Sequence, residues 1–261
     1  MGRALIGGLL RSGRRPEQLS VGEAAPMQRA RLARDLGVTA LADNREAILG
    51  AGVVVLAVKP QEAGAVLSSL AAQLASARPL VISVAAGVRT PALEAWCGAG
   101  VPVVRAMPNR AALIGAGATG LYAPPAVGAA GRATAEQVLR AVGEVAWVSS
   151  EEALDVVTAL SGSGPAYFFL LAELMAEAAE QLGLPGETAR SLAAATLYGA
   201  GLLTQSGGDR DLARLRAEVT SPGGTTEAAL TAFEAAKLRE TVRAALAAAA
   251  QRSRELAADY R

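Results

Sequence analysis

The sequence predicts an α/β chain in two parts, a doubly wound sheet over residues 1–149 and an all-α region over 150–261. Apolar, largely β-branched runs at 53–58, 80–84 and 101–106 recur between helical stretches in the first half. They lack the alternation of half-exposed strands, which marks strands covered on both faces of a parallel sheet. Strands alternating with helices imply helices on both faces of that sheet. From Glu151 onward strand signals stop, and Ala- and Leu-rich helical periodicity takes over.

In chain order, residues 2–12 read as a helix ending at Ser12-Gly13, and 19–21 as a short strand. Pro26 opens a helix over 26–36 that Gly37 closes, and 38–41 is a strand. Asp43-Asn44 starts a helix running to Leu49. Lys59-Pro60 stops the strand at 53–58 and is followed by a helix over 61–74. Thr90-Pro91, a capping threonine with proline at the first helical position, starts the next helix. Later strands fall at 119–122 and 145–148, with a helix over 133–142 between them. The second half reads as helices over 152–182, 187–204, 209–219 and 227–258. The first is interrupted at Ser161-Gly-Ser-Gly-Pro-Ala-Tyr167, and the last is long enough to bend.

Composition narrows the chemistry. The 261 residues suffice for two domains, and a chain that is 52% hydrophobic but only 3% aromatic must build its core from Ala, Leu and Val. Lys+Arg number 25 against 24 Asp+Glu, so no excess of basic charge points to a nucleic acid or a membrane surface. With no histidine, the commonest acid–base group and the commonest metal ligand are both excluded. Cys97 is the sole cysteine, which excludes an intrachain disulfide and a Cys-based zinc site; it reads as an inert buried thiol, and no metal is expected. The opening residues lack a cleavage-site pattern, and no run reaches the roughly 20 apolar residues that span a bilayer. The expectation is a soluble, cytoplasmic chain.

Ligands of doubly wound sheets bind off the carboxyl ends of the strands. Here those ends are Lys59-Pro60, Ala85-Ala-Gly87 and Pro108-Asn109. Small residues let a flat cofactor lie against the backbone, and Lys59 and Asn109 can hydrogen-bond it; alone, Lys59 reads equally well as a solvated lysine. A dinucleotide domain opens with a strand and a G-x-G-x-x-G turn. This chain opens at a helix, so Gly2 is expected to be the last glycine of that turn or its neighbour. The first strand and most of the glycine turn are expected before Met1, and without them two strands lack a partner.

A second seat lies at Thr220-Ser-Pro-Gly-Gly-Thr-Thr226, between an arginine-rich segment and the last helix. Pro222 fixes a torsion, and Gly223-Gly224 admit conformations closed to other residues. A helix N-terminus with outward amide N–H groups suits a carboxylate or phosphate. The alternative is that Thr225 or Thr226 only caps a helix beginning near Glu227. The Ser161–Pro165 break likewise reads either as a kink that lets helices approach or as a floor under a ligand. Tyr167 reads as core.

Together these motifs point to one family. Leu56-Ala-Val-Lys-Pro-Gln61, Val104-Arg-Ala-Met-Pro-Asn109, Gly115-Ala-Gly-Ala-Thr-Gly120, Ala159-Leu-Ser-Gly-Ser-Gly-Pro-Ala-Tyr-Phe168 and Val219-Thr-Ser-Pro-Gly-Gly-Thr-Thr226 resemble pyrroline-5-carboxylate reductase over essentially the whole chain. The resemblance implies an N-terminal Rossmann-type domain and an all-α C-terminal dimerisation domain. It implies NADPH- or NADH-dependent reduction of 1-pyrroline-5-carboxylate, a small imino acid, to L-proline, by homodimers that assemble into a decamer. It places the substrate at Glu152, Val219, Ser221, Gly223, Gly224 and Thr225, with Thr226 as the catalytic hydroxyl at the ring nitrogen. It places the cofactor at Gly22, Ala24, Asn44, Ala57, Val58, Lys59, Pro60, Ser83, Val84, Ala85 and Asn109.

The chain departs from the family at the absent opening strand, at Arg110-Ala111 where Thr-Pro is usual, and at Leu19-Ser-Val-Gly-Glu-Ala24. The last replaces a polar, often Arg-containing turn that grips the 2′-phosphate of NADP; Glu23 can instead accept from a ribose 2′-OH, which favours NADH, although Arg29 and Arg31 lie nearby. Two other readings remain. A related β-hydroxyacid dehydrogenase needs a lysine in the helical domain, and 161–236 contains none. A non-catalytic helical dimer that has lost cofactor binding is the other.

Overall fold

The structure, a computed structural model, describes residues 1–206, 211–258 and 260. It divides into two compact units, Met1–Ser163 with Ala248–Arg261, and Gly164–Ala247. The first therefore runs past the boundary expected at residue 150.

In the first unit the helices are α1 (Gly2–Arg11), α2 (Pro26–Leu36), α3 (Asn44–Ala47), α4 (Pro60–Ala77), α5 (Thr90–Cys97), α6 (Gly128–Arg140) and α7 (Ala153–Val157). The strands are β1 (Ser20–Gly22), β2 (Thr39–Leu41), β3 (Val53–Leu56), β4 (Leu80–Ser83), β5 (Val103–Met107), β6 (Gly117–Tyr122) and β7 (Gly143–Trp147). β1 and β2 form a parallel pair. The others form a sheet in the order β3-β4-β5-β6-β7, parallel except where β6 runs antiparallel to β5. Among the described residues neither β1 nor β3 has a second strand partner.

Residue alternation explains the patternless apolar runs. Val81 and Val103 join a core with Leu67, Leu74 and Leu93 from α4 and α5. Their neighbours Ile82 and Val104 join a second core with Leu5, Leu121 and Leu139. Successive strand residues point to opposite faces, and helices cover both, so every position must be apolar. β4 is buried throughout, whereas β3, at the sheet edge, is only half-buried at three of its four residues.

Local signals act as expected at Gly37, which closes α2 in the left-handed region at φ 67°. Thr90 differs: Arg89 is the cap, Thr90 is the first residue of α5, and its hydroxyl turns to Glu151. Cys97 is buried, and its thiol is pushed up to about 11, first by burial and then by the nearby Glu94 carboxylate.

The second unit contains α8 (Gly164–Gln181), α9 (Gly186–Ser206), α10 (Leu212–Glu218), α11 (Thr225–Ala235) and residues 238–247 of α12 (Leu238–Ala258). The expected helix start at Asp209 lies outside the described residues; α10 begins at Leu212, capped by the Asp211 carboxylate, which accepts the N–H groups of Ala213 and Arg214. The expected bend is a break between α11 and α12, with Lys237 at φ 57°. Phe168, Phe169, Leu174 and Tyr198 of α8 and α9 are exposed. The expectation that no run reaches membrane-spanning length is corrected at Ala153–Gln181, a 29-residue helical stretch that is long and apolar enough by length and composition alone.

Candidate active site

Strands β3, β4 and β5 are parallel, so their carboxyl ends share one edge of the sheet. Along it lie Ala57 and Lys59, both exposed, with Val58 and Pro60 half-buried. Lys59 caps α4, and Pro60 is its first residue. Next come Ser83, whose hydroxyl accepts the Ala85 N–H at 3.3 Å, the half-buried Val84 and the buried Ala85. Gly22, at the end of β1, lies directly under the Asn44 carboxamide, and a Cβ there would collide with Asn44 Oδ1. Ala24 follows in an exposed loop. A dinucleotide suits this edge because small residues leave its backbone open and Gly22 and Asn44 form a cradle that a side chain would fill.

Glu23, in the same loop, accepts the Ala25 N–H at 2.9 Å. The Arg29 guanidinium turns back on the loop and donates to the carbonyls of Glu23 and Ala24 at 2.7 and 2.9 Å.

Asn109, 9% exposed, reaches in two directions. Its oxygen accepts the Ala118 N–H at 3.2 Å, and its amide donates to the Ser161 carbonyl at 3.0 Å. Ser161 belongs to a π-helical turn, Thr158–Gly162, which continues α7. The break expected there is thus a widened turn, a feature that recurs at functional sites.

Glu152 is exposed at the start of α7, while its neighbour Glu151 is half-buried. One Glu151 oxygen accepts the Thr90 N–H at 2.6 Å, the Thr90 hydroxyl at 2.7 Å and Arg105 Nη1 at 2.7 Å. Asp155 pairs with Arg89 at 2.7 Å and accepts the Ser253 hydroxyl at 2.7 Å. Burial acts to raise the Glu151 carboxyl, but the bonds from Thr90 and Arg105 hold it below the ordinary carboxylate range. At Arg105 burial is the largest influence and lowers its pKa despite the pairing. This network escaped the sequence reading; its one signal is an arginine within the apolar strand Val103-Val-Arg-Ala-Met107. It also explains why residues 151–163 and the end of α12 belong to the first unit.

In the second unit, Ser221-Pro-Gly-Gly224 forms a type II turn. Gly224 N–H donates to the Ser221 carbonyl at 3.0 Å, and Gly223 sits at φ 71°, where glycine is favoured. Gly224 caps α11, no side chain caps it, and Thr225 and Thr226 are its first two residues. The capping role considered for either threonine is therefore replaced by helical positions, and the helix starts two residues earlier than expected. The first N–H groups of a helix lack intrahelical acceptors; here the first helical bond is from Ala228 N–H to the Gly224 carbonyl. The turn already holds a carboxylate: Gly223 N–H donates to Glu227 Oε2 at 2.7 Å. Val219, Ser221, Gly223 and Thr225 are exposed, and Gly224 and Thr226 half-buried. These six residues are thus gathered on one turn, while Glu152 lies in the other unit.

A family model described as pyrroline-5-carboxylate reductase dimerisation matches residues 151–256, and one described as NADP oxidoreductase, coenzyme F420-dependent, matches residues 1–87. The chain is 47% identical to pyrroline-5-carboxylate reductase of Pseudomonas aeruginosa, over 98% of this chain and 93% of that protein. Its fold is similar to a pyrroline-5-carboxylate reductase from Coxiella burnetii, with TM-score 0.94, 44% identity and coverage of 98% and 94% of the two chains. Pyrroline carboxylate reductase of Plasmodium falciparum, solved with NADP bound, gives TM-score 0.80 and 27% identity, with 98% and 94% covered.

Proposed function

The chain belongs to the pyrroline-5-carboxylate reductase family, and on that premise we propose that it reduces 1-pyrroline-5-carboxylate to L-proline with NADPH or NADH, the last step of proline biosynthesis. The observation that carries this reading furthest is the turn at 221–224, whose amide already binds the Glu227 carboxylate. The same chemistry seats the carboxylate of a small imino acid at Ser221, Gly223, Gly224 and Thr225, beside Val219 and with Glu152 contributing to the site.

The nicotinamide, when bound, supplies the hydride. Gly22, Ala24, Asn44, residues 57–60 and residues 83–85 form its proposed seat, with Asn109 at the edge of that seat. The protein orients the reactants and sets the electrostatics around them. An iminium carbon is already electrophilic, so no strong base is required, consistent with a chain without histidine. The Thr226 hydroxyl hydrogen-bonds the ring nitrogen and exchanges its proton with solvent.

Residues 1–149 act as the cofactor domain, and 150–261 as the substrate and dimerisation domain. Homodimers form through the exposed apolar helices, assemble into a decamer and work in the cytoplasm. Glu23 presents a carboxylate to the ribose, and Arg29 is drawn onto backbone carbonyls, which favours NADH over NADPH.

The test is loss of reduced-nucleotide absorbance with the imine on the native full-length protein, with proline quantified in parallel. Stoichiometric proline supports the assignment, and absence of turnover with either nucleotide overturns it. Fluorescence titration is expected to give a lower Kd for NADH than for NADPH; the reverse order removes the role given to Glu23.

A further inference from the structure

We infer that Asn109 is a positioning residue for this reaction, acting through the Ser161 carbonyl to hold the Thr158–Gly162 turn against the carboxyl end of β5. The inference rests on the reductase reading and refines the role of Asn109 within it.

The requirement begins in the sequence. In a regular helix the Ser161 carbonyl would accept the N–H four residues on, but that residue is Pro165, which has none. A π turn at this point further disturbs the ladder, with Ser163 N–H donating to the Thr158 carbonyl at 2.9 Å. A carbonyl left without a partner away from water is costly. The Asn109 amide meets it at 3.0 Å from 52 residues away, while the other end of the same carboxamide is fixed by Ala118 N–H.

The two hydroxyls in the turn are turned inward. Thr158 Oγ1 donates to the Leu154 carbonyl at 2.8 Å and Ser161 Oγ to the Val157 carbonyl at 3.0 Å. Bonds of this kind bend helices but do not anchor them to a sheet. Anchoring comes from β5 and the residues just after it: Asn109 at Ser161, and Met107 at Gly162, where an added Cβ would come within 2.9 Å of the Met107 methyl. The turn is thereby fixed at the edge where a doubly wound sheet receives its ligand. Asn109 is mostly buried and held at both ends of its carboxamide. These contacts let it act on the cleft by fixing the turn.

The test compares Asn109→Asp, which keeps size and the Ala118 contact, with Asn109→Ala, which removes both bonds. Nucleotide fluorescence titration gives the Kd and the number of binding sites. Turnover is then expressed per site, so that a loss of folded protein is not read as a loss of rate. Both variants are expected to lose about ten- to a hundredfold in kcat per site, with nucleotide Kd within about twofold of the parent. The primary isotope effect with nucleotide deuterated at the transferred hydrogen should rise, because displacement of the turn slows hydride transfer itself. A Kd that rises in step with the loss of kcat/KM would make Asn109 a direct cofactor ligand and overturn the inference. Unchanged kcat per site in either variant that retains nucleotide-binding sites would leave only a structural role and also overturn it. Inactivity of the parent protein would instead count against the reductase reading.

Discussion

Thr226 stands second in α11, half-buried, with no capping duty to occupy its hydroxyl. That freedom distinguishes it from Thr220, Thr158 and Ser161, whose hydroxyls donate to carbonyls of the preceding turn. A single hydrogen bond to the substrate nitrogen is a modest contributor, on the order of 1–3 kcal/mol. Thr226→Ala is therefore expected to lower kcat between about fivefold and a hundredfold with the thermal midpoint nearly unchanged. Steady-state kinetics beside a melting curve checks this, and unchanged kcat would remove Thr226 from the mechanism.

At the scale of elements, the cluster around Glu151 joins four of them. Arg105 comes from β5, Thr90 from α5, Asp155 from α7 and Ser253 from α12, with Arg89 at the α5 cap. Removing one partner of a buried pair leaves the other charge uncompensated, so Glu151→Gln should lower stability at neutral pH by roughly 3 kcal/mol. The pH dependence has a definite sign. The folded chain holds Glu151 below its ordinary value of 4.5, so protons bind the unfolded chain more readily. Its contribution is complete above that value and is lost as pH falls through the lower folded-state value. Denaturant titrations from pH 7 down to about 3 should show the parent losing stability more steeply than Glu151→Gln below about pH 5. Parallel curves would contradict the role assigned to Glu151.

At the scale of the whole molecule, the two units differ in how they are buried. The first has two enclosed cores, one on each face of its sheet. In the second, α8 leaves Phe168 and Phe169 more than half exposed, and α9 does the same with Tyr198. Exposed apolar surface of that kind marks an interaction site, and the dimerisation family model spans it. Phe169 is 64% exposed, so its replacement by glutamate leaves the fold of one chain largely alone. Phe169→Glu is expected to weaken self-association by at least about a hundredfold, since each dimer carries the change twice. Light scattering over a concentration series would show monomer where the parent is oligomeric; an unchanged mass would place the interface elsewhere.

The sequence by itself determined the alternation of strands and helices, the stop of β signals near Glu151 and both glycine-rich breaks. It did so because these rest on local chemistry: side-chain period, proline's fixed torsion, and the conformations open to Gly37 and Gly223. The helix start at Asp209 falls outside the described residues. Tertiary structure decided what each polar side chain binds. Thr90 reads as a cap and serves Glu151 instead; Glu151 and Glu152 look equivalent in sequence, and one is half-buried while the other is exposed. Asn109 reads as a cofactor ligand, and its bonds go to Ala118 and Ser161. Apart from the Asn109–Ala118 bond, which spans nine residues, these outcomes depend on partners 46 to 61 residues away in sequence, which only the packed sheet brings within hydrogen-bond reach.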